Sequence, residues 1–304
     1  MNFAVIFSGQ GLQSTKHIAE IKHNAAQYGL TTELATLFAQ LESAESEQDA
    51  IFSNQLAQPF IFSLQYLRWL QVKAHLPQPE FLAGYSLGEA NAFCCSSTLS
   101  FNQSFELITV RADLMTEQVQ HTSCSMAAIQ GLNPQQLLPL LQSTATQISI
   151  KLNEIHYIIV GTTQAVEQLI AAAKAQGAQH INKLKVSVPS HSSFLDNAAE
   201  KFSAYLNTLP HSQMQFPIIS ASAGQKYFTH AQATEILSQQ INHALDWQNC
   251  METLKEYQAD VILEIGPGNA LSKMIAEVMP NIHVRSIDDF NHFDGVVQWL
   301  SRFE

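Results

Sequence analysis

Short apolar runs alternate along the chain with segments in which apolar residues recur every three or four positions. The first run, Phe3–Phe7, consists of five apolar residues and predicts a buried strand. A helical pattern follows Pro59 as far as Lys73, and Pro59 is expected to open that helix as its first residue. Further strands are predicted at Glu80–Ala83, Pro217–Ser220, Val261–Glu264 and His283–Ile287, and a last helix around Gly295–Ser301. This alternation of strands and helices is typical of the α/β class.

The middle of the chain follows a different order of elements. Strands are predicted at Met126–Ile129, Ile148–Leu152, His156–Val160 and Gln179–Val188, and helices after Asn133-Pro134 and over Thr163–Gln176. The order β-α-β-β-α-β is that of a ferredoxin-like, split βαβ module. We therefore predict an α/β-hydrolase-like large domain with a parallel sheet, formed by residues 1–124 and 189–304. A small ferredoxin-like domain of residues 125–188 is predicted to be inserted into it.

Composition and charge exclude several classes of protein. Of the 304 residues, 46% are hydrophobic and 13% are charged, so the chain can bury a large core and is not expected to be disordered. The formal net charge is −11, and the 15 lysines and arginines form no basic stripe, which argues against nucleic-acid binding. An acidic partner protein would need a local basic patch. Lys183 and Lys185 are candidates for it, although both fit ordinary solvated lysines.

The sequence also predicts the compartment and argues against a metal site. It contains no apolar run long enough to cross a membrane and no basic segment before its first apolar run, so we expect a cytoplasmic protein that does not enter a membrane. The four cysteines form no Cys-x-x-Cys pair, and no histidine spacing completes a zinc site. We expect reduced thiols and no bound metal.

A candidate nucleophile lies in the pentapeptide Gly84-Tyr85-Ser86-Leu87-Gly88, between a predicted strand and a predicted helix. Glycines on both sides allow a tight turn that would present Ser86 in a strained, exposed conformation. The N–H groups at the start of the following helix are suited to stabilising a developing oxyanion. The alternative is a turn in which Ser86 only caps the helix.

A catalytic serine needs a base, and His191 is the best candidate among the 12 histidines. It follows the last strand of the predicted insert, where the two domains must meet, and Pro189 stiffens the approach to it. A histidine base needs an acceptor for its other ring nitrogen, and Asp246 is a candidate through its carboxylate or its main-chain carbonyl. The order Ser86, His191, Asp246 differs from the Ser, Asp, His order of α/β-hydrolases, which weakens a lipase or esterase interpretation.

Several motifs now converge on one family. In chain order they are Phe7-Ser8-Gly9-Gln10-Gly11, Gln58-Pro59, Gly84-Tyr85-Ser86-Leu87-Gly88-Glu89, Arg111, Val188-Pro189-Ser190-His191 and Glu264-Ile265-Gly266-Pro267-Gly268. Each motif is weak alone, but together they resemble the malonyl-CoA:acyl-carrier-protein transacylase family over nearly the whole chain. The fold of that family also contains an inserted ferredoxin-like module.

This resemblance implies a role for each site residue. Ser86 is expected to be the acylated nucleophile and His191 its general base and acid. The backbone N–H groups of Gln10 and Leu87 are expected to form the oxyanion hole. Arg111 is expected to bind the free carboxylate of malonyl, because a guanidinium binds a carboxylate bidentately and keeps its charge when desolvated. Asp246 lies where the family has a residue that supports the histidine.

Other residues resemble one subgroup of the family. Tyr85, where most fatty-acid-synthesis members have histidine, resembles the malonyl transferase (epsilon) subunit of malonate decarboxylase. So do Ser8, Asp246-Trp247 and the C-terminal residues Arg285–Phe290. That subunit loads a carrier whose thiol belongs to a phosphoribosyl-dephospho-CoA arm, and other decarboxylase subunits would then be partners. One departure is Leu152–His156, where the family usually has an Asn-x-Pro-Gly-Gln-like turn.

The sequence therefore predicts a malonyl-CoA:acyl-carrier-protein S-malonyltransferase without a cofactor, which works by ping-pong kinetics through an acyl-Ser86 intermediate. Its expected partners are malonyl-CoA and an acyl carrier protein with a prosthetic thiol arm, and the expected carrier is that of malonate decarboxylase. The first alternative is the transacylase of fatty acid or polyketide synthesis. An alternative of another class is a malonyl or acyl thioester hydrolase. The sequence leaves open the choice between malonyl and methylmalonyl, and the oligomeric state.

Overall fold

The structure, a computed structural model, describes residues 1–119, 122–184 and 188–303. Its strands are β1 (Phe3–Phe7), β2 (Phe81–Gly84), β3 (Cys124–Gln130), β4 (Gln147–Asn153), β5 (His156–Thr162), β6 (His180–Lys183), β7 (Ile218–Ser220), β8 (Lys226–Tyr227), β9 (Leu245–Asp246), β10 (Val261–Glu264) and β11 (His283–Ser286). Its α-helices are α1 (Lys16–Tyr28), α2 (Ala35–Ser43), α3 (Glu47–Ala50), α4 (Asn54–His75), α5 (Leu87–Ser96), α6 (Phe101–Gln118), α7 (Pro134–Thr144), α8 (Thr163–Ala175), α9 (Asp196–Leu206), α10 (His230–Gln240), α11 (Trp247–Glu256), α12 (Ala270–Val278) and α13 (Phe293–Leu300). Short 3₁₀ turns cover Ser193–Leu195 and Ile287–Asp289.

Most predicted strands are present, with ends that differ by at most two residues. The exception is the strand predicted at Gln179–Val188, of which the structure shows β6; residues 185–187, including Lys185, lie outside the described residues. The two-residue strands β8 and β9 were not predicted, because an element of that length has no measurable periodicity.

The larger sheet has the strand order β11-β10-β1-β2-β7-β8, in which the first five strands are parallel and β8 joins the edge antiparallel. Its central strand shows why the apolar run is continuous. Phe3, Val5 and Phe7 contribute to one hydrophobic cluster, whereas Ala4 and Ile6 contribute to a second cluster on the other face. Both faces are covered, as parallel sheets require.

The second sheet has the order β6-β3-β5-β4-β9. Its four strands from the middle of the chain pair antiparallel, in the order of a ferredoxin-like module, and a third hydrophobic cluster lies between them and helices α7 and α8. The fifth strand, β9, comes from the C-terminal part of the chain and pairs parallel with β4, with Ile150 opposite Leu245. The predicted fold class is confirmed. The domain limits at 124/125 and 188/189 stay a prediction.

Helix α4, the longest of the described helices at 22 residues, corrects one prediction. Pro59 does not open it, because the helix begins five residues earlier at Asn54. Proline removes one helical hydrogen bond, and side-chain bonds from Asn54 and Gln55 to α6 tie the preceding turn to that neighbouring helix. None of the described helices is long and apolar enough to span a lipid bilayer.

The sheet brings the sequence motifs to one edge. β1 runs into Ser8–Gly11, the neighbouring strand β2 runs into Tyr85-Ser86, and β10, on the other side of β1, runs into Ile265–Gly268. Parallel neighbours end at the same edge of a sheet, and ligands of open α/β sheets bind outside these carboxyl ends. The order of the strands therefore places the candidate nucleophile beside the candidate oxyanion loop.

Candidate active site

Ser86 lies in a sharp turn between β2 and α5, with φ 57° and ψ −115°. A positive φ is unfavourable for a serine, so the surrounding chain must hold it in place. Two glycines allow this close packing. A Cβ on Gly84 would overlap the backbone of Gly88, and a Cβ on Gly88 would overlap the carbonyl of Phe7. The pentapeptide thus forms the strained elbow that its glycines predict.

The Ser86 hydroxyl oxygen lies 2.7 Å from Nε2 of His191, a side chain that is 1% exposed. On the other side of the ring, Nδ1 lies 2.6 Å from the main-chain carbonyl oxygen of Gln240. A carbonyl oxygen can only accept, so Nδ1 carries the proton and donates it to Gln240. Nε2 is then the unprotonated nitrogen, which accepts the hydroxyl proton of Ser86.

The histidine acceptor corrects the prediction for Asp246. Gln240 is the last residue of α10, where the final carbonyls have no partner within the helix, so its oxygen is available to His191. Asp246 instead caps α11, with its carboxylate accepting from the N–H of Asn249 at 2.9 Å, and it lies 3.7 Å from the ammonium of Lys151. The acceptor is therefore a helix end six residues earlier in the chain than the predicted one.

Burial lowers the pKa of His191 to about 3. The hydrogen bond to Gln240 opposes this effect, and the positive charge of Arg111 adds to it. The imidazole is therefore neutral at any pH near 7, which is the form that can accept a proton.

Arg111, on α6, is 1% exposed and carries its charge inside the same pocket. Its Nη1 donates to Oε1 of Gln58 at 2.6 Å and its Nη2 to Oε1 of Gln240 at 3.2 Å, while its buried Nε has no acceptor among the described residues. Burial lowers the pKa of Arg111 to about 10, and the charge of Glu89 partly opposes this. The guanidinium therefore stays charged at neutral pH, with two neutral amides as its hydrogen-bond partners.

Glu89 is a fully buried carboxyl on α5 that contacts Gln240. Its Oε2 accepts from Nε2 of Gln240 at 2.8 Å. Burial raises the pKa of Glu89 to about 7, although its hydrogen bonds and the charge of Arg111 act in the opposite direction. Gln240 thus joins three groups of the site, with its carbonyl on His191 and its amide between Arg111 and Glu89.

Of the two predicted oxyanion donors, Leu87 directly follows Ser86 and Gln10 lines the same pocket. Leu87 is the first residue of α5, and no described residue accepts from its N–H, whereas the N–H groups of Gly88 and Glu89 donate to the carbonyl oxygens of Tyr85 and Ser86. The loop with Gln10 passes close to the elbow, because a Cβ on Gly9 would lie 3.0 Å from the Tyr85 carbonyl oxygen. Gln65 of α4 supports this loop by donating to the carbonyl oxygen of Ser8 at 2.8 Å.

These groups share one pocket of about 780 Å³, including its open mouth. Its polar lining comes from Gln10, Asn54, Ser86, Arg111, Ser190 and His191. Its apolar lining comes from the second sheet, from α6 and from loops, and includes Phe52, Tyr85, Met115, Met126, Ile158 and Val188. The pocket therefore combines a nucleophile, a base and one buried cation within apolar walls. Such a site suits an acyl group that bears a negative charge at its far end.

One cluster in the described residues has the composition of a metal site. Ligand atoms of His17, Glu20 and Asp288 lie within 4.8 Å of one another. The guanidinium of Arg68 already lies among them, 2.6 Å from an oxygen of each carboxylate. The positive charge that these carboxylates need is supplied by the protein, so the cluster is an ion-pair network around the buried Arg68 that does not require a metal.

The predicted basic patch is represented in the described residues by Lys183 alone. Its ammonium is exposed and lies 3.3 Å from the carboxylate of Glu167. An exposed pair of this kind is ordinary for a protein surface. The structure therefore gives no specific support to a carrier site at Lys183.

The sequence interpretation missed the two amides that hold Arg111. Gln58 was visible in the motif Gln58-Pro59, but that motif does not show which side chain it contacts. Gln240 gave no signal, because a glutamine at the end of an amphipathic helix resembles any polar surface residue. The structure shows both to be completely buried beside Arg111.

Comparison with known proteins identifies relatives over almost the whole chain. Residues 21–286 match the family model described as "Acyl transferase domain". The malonyl CoA-acyl carrier protein transacylase of Haemophilus influenzae is 27% identical over 317 residues, which cover 98% of this chain and 99% of the relative. The protein of the same name from Escherichia coli is 26% identical over 305 residues and covers 94% of this chain and 96% of its own.

Solved structures agree with these sequence relatives. The crystal structure of FabD from Acinetobacter baumannii has a TM-score of 0.88 and 28% identity, and the alignment covers 100% of this chain and 99% of that one. An acyl carrier protein S-malonyltransferase from Vibrio cholerae has a TM-score of 0.85 and 25% identity, covering 97% of this chain and 100% of that one. The arrangement of the two sheets is therefore that of known malonyltransferase structures.

Proposed function

This chain belongs to the acyl transferase domain family, and on that premise we propose that it transfers malonyl from malonyl-CoA to the thiol of an acyl carrier protein. One observation carries the proposal: Ser86 is hydrogen-bonded to His191 in a pocket that also contains the buried cation of Arg111. Relatives of nearly the same length are named malonyl CoA-acyl carrier protein transacylases, which agrees with this choice of donor and acceptor.

The first half-reaction forms a malonyl ester on Ser86. As the Ser86 oxygen attacks the thioester carbonyl, its proton passes to Nε2 of His191. The N–H groups of Leu87 and Gln10 stabilise the oxyanion, with the dipole of α5 aligned in the same direction. The bond to sulfur then breaks, and His191 returns the proton to the departing CoA thiolate. No metal or redox cofactor takes part in this sequence of steps.

Arg111 selects the acyl group. The free carboxylate of malonyl can pair with the guanidinium, whereas acetyl would leave this buried charge with neutral partners. Binding of the carboxylate also affects the base. Because the charge of Arg111 lowers the pKa of His191, a bound carboxylate offsets that effect and strengthens His191 as a base. Malonyl thereby contributes to its own transfer.

The second half-reaction runs the same steps with a carrier thiol as nucleophile, which gives ping-pong kinetics. Water is the competing nucleophile, and a thioester hydrolase would use the same acyl-Ser86.

Two kinds of carrier fit this mechanism. The names of the relatives give the acceptor as an acyl carrier protein. We propose transfer to a phosphopantetheine carrier of fatty acid or polyketide synthesis as the main function. A second candidate is the carrier of malonate decarboxylase, with its phosphoribosyl-dephospho-CoA arm and its companion subunits. The observation in favour is the pair Tyr85 and Trp247, which resemble that subgroup and pack edge to face at 5.4 Å beside the nucleophile. Because the two rings pack against each other, Tyr85 is part of the structure beside the nucleophile.

Intact-mass spectrometry tests the proposal. The protein is mixed with malonyl-CoA, and the adduct is then offered to each purified carrier. A malonyl adduct that moves to a phosphopantetheine carrier supports the main function, and movement only to the malonate decarboxylase carrier selects the second candidate. Release of free malonate faster than transfer would identify a hydrolase, and absence of any adduct would contradict the acyl-Ser86 mechanism.

A further inference from the structure

Asn54, the first residue of α4, uses every hydrogen-bonding position of its side-chain amide. Its Oδ1 accepts from Nε2 of Gln10 at 3.2 Å and from Nε2 of Gln58 at 2.9 Å. Its Nδ2 donates to the carbonyl oxygen of Ala112 at 3.0 Å and to the hydroxyl of Thr116 at 2.9 Å. An amide has two acceptor and two donor positions, so this side chain is saturated. It connects the oxyanion loop to α4 and to the turn of α6 that carries Arg111.

The bond from Gln58 determines which end of its own amide faces Arg111. Gln58 presents Oε1 to Nη1 of Arg111 at 2.6 Å, and this requires its Nε2 to point the other way, toward Asn54. The other acceptor of that Nε2 is the sulfur of Met115 at 3.6 Å, which is a weak partner. Without Asn54 Oδ1, the bond from Arg111 would be the one strong contact holding the Gln58 amide, which could then shift and tilt away from its position against the guanidinium.

We propose that Asn54 is a positioning residue that orients Gln58 toward Arg111 and fixes the Gln10 loop at the same time. It thereby sets the separation between the oxyanion hole and the carboxylate-binding guanidinium, and so favours an acyl group of malonyl length. This inference rests on the proposed malonyl transfer. It adds to that function a residue that lines the pocket and acts on the substrate through Gln10, Gln58 and Arg111.

The consequence concerns selectivity more than rate. Replacing Asn54 by alanine loosens the Gln10 loop, which affects every acyl donor, and also releases Gln58, which affects only donors that use Arg111. Misplacement of a bound group by about 1 Å can cost about 100-fold in rate. We therefore expect Asn54→Ala to lower acylation by malonyl-CoA about 100-fold and by acetyl-CoA about tenfold, so that the preference for malonyl falls about tenfold.

Gln55→Ala is a matched control on the same helix turn. Gln55 also joins α4 to α6, through a bond from its Nε2 to Oδ1 of Asp113 at 2.8 Å, but it is exposed and does not line the pocket. The two variants thus remove the same kind of bond between α4 and α6, one at the pocket and one at the exposed surface. Gln55→Ala should leave the preference for malonyl unchanged.

A double-mutant cycle separates positioning from general stability. Initial rates of Ser86 acylation are measured by intact mass with malonyl-CoA and with acetyl-CoA, for wild type, Asn54→Ala, Gln58→Ala and the double variant, and melting temperatures are recorded alongside. If Asn54 acts through Gln58, Asn54→Ala should not reduce the preference further once Gln58 is absent. Additive losses, or an unchanged preference in Asn54→Ala, would overturn the inference.

The test still decides if Asn54→Ala does not fold or if the control variant also changes its preference. Should Asn54→Ala fail to fold, Asn54→Ser, which keeps one group that can accept a hydrogen bond, takes its place and should show a smaller loss of preference. An equal loss of preference in Gln55→Ala would mean that the contact between α4 and α6 is structural, and would overturn the inference. Failure of wild type to form a malonyl adduct would contradict the proposed function instead, so the two failures are distinguishable.

Discussion

Nε2 of His191 lies 2.7 Å from the hydroxyl oxygen of Ser86. Ser86 lies at the N-terminus of one helix, and His191 contacts the C-terminus of another. Ser86 immediately precedes the first residue of α5, where free N–H groups stabilise negative charge. His191 donates to the last carbonyl of α10, where the helix end stabilises positive charge. Proton transfer from serine to histidine creates charge of the matching sign at each end.

Replacing Ser86 by alanine removes the proposed nucleophile without enlarging the side chain. We expect no malonyl adduct in Ser86→Ala by intact-mass spectrometry, because no other group is activated by His191. Ser190→Ala is the matched control, since Ser190 lines the same pocket but donates to the carbonyl of Val188 at a long 3.4 Å. An adduct that persists in Ser86→Ala, or disappears in Ser190→Ala, would contradict the assignment of the nucleophile.

Arg111→Ala should change the choice of donor. Its loss leaves the malonyl carboxylate buried without a charged partner, which we expect to lower the ratio of malonyl to acetyl transfer by about 100-fold or more. The ratio is measured from acylation rates with malonyl-CoA and acetyl-CoA as separate donors.

Arg111→Lys refines this test. Lysine keeps the positive charge but cannot bind both oxygens of a carboxylate through a planar fork, so an intermediate ratio is expected. If Arg111→Ala slows both donors by the same factor, Arg111 supports the fold of the pocket and does not recognise the carboxylate.

The sequence predicts the fold better than the details of the site. Continuous apolar runs revealed the buried strands β1 and β10, and the change of periodicity in the middle of the chain revealed the second sheet. The start of α4 was misplaced because Pro59 is a common first residue of helices, and contacts with α6 that extend this helix to Asn54 have no local signature.

Within the site, the sequence predicted the residues with special backbone geometry but not the residue that acts through its main-chain carbonyl. The glycines around Ser86 indicate the elbow. The acceptor for His191 is the carbonyl of Gln240, and any residue could provide a carbonyl, so residue type pointed to Asp246, through its carboxylate or its carbonyl, instead of Gln240. Only the end of α10 in three dimensions identifies the acceptor.

The low pKa of His191 predicts an unusual pH profile for acylation of Ser86. The neutral base is needed, so the rate falls when pH drops through the pKa, which burial lowers to about 3. The acid limb should therefore lie below the ordinary value for histidine of about 6.5. With malonyl-CoA it should lie at higher pH than with acetyl-CoA, because a bound carboxylate offsets the charge of Arg111.

Quenched-flow acylation after a brief pH jump, from pH 2.5 to 8 and followed by mass spectrometry, measures both limbs. Limbs near 6.5 for both donors would contradict a desolvated His191. Identical limbs below that value would contradict the coupling of His191 to Arg111 while leaving the desolvation in place.

The buried network of Glu89, Gln240 and Arg111 can be tested by measuring how the free energy of unfolding depends on pH. Its pKa is raised from the ordinary 4.5 to about 7 by burial, so the folded state binds more protons than the unfolded state between these values. The free energy of unfolding that this group contributes is then fully present below pH 4.5 and is lost as pH rises to 7. Over the full interval the loss is about 3 kcal/mol, at about 1.4 kcal/mol for each unit of pKa.

Glu89→Gln removes this titration but keeps an oxygen that can accept from Nε2 of Gln240. We expect the difference in unfolding free energy between Glu89→Gln and wild type to grow in favour of the variant from pH 4.5 to 7 and to remain constant above pH 7. Comparing the two proteins at each pH cancels the other titrating groups, including His191, whose lowered pKa acts with the opposite sign over the acidic range. Urea unfolding at four or five pH values measures the difference. A difference independent of pH would show that the carboxyl titrates normally, and one that grows toward acid pH would show that Arg111 dominates over burial.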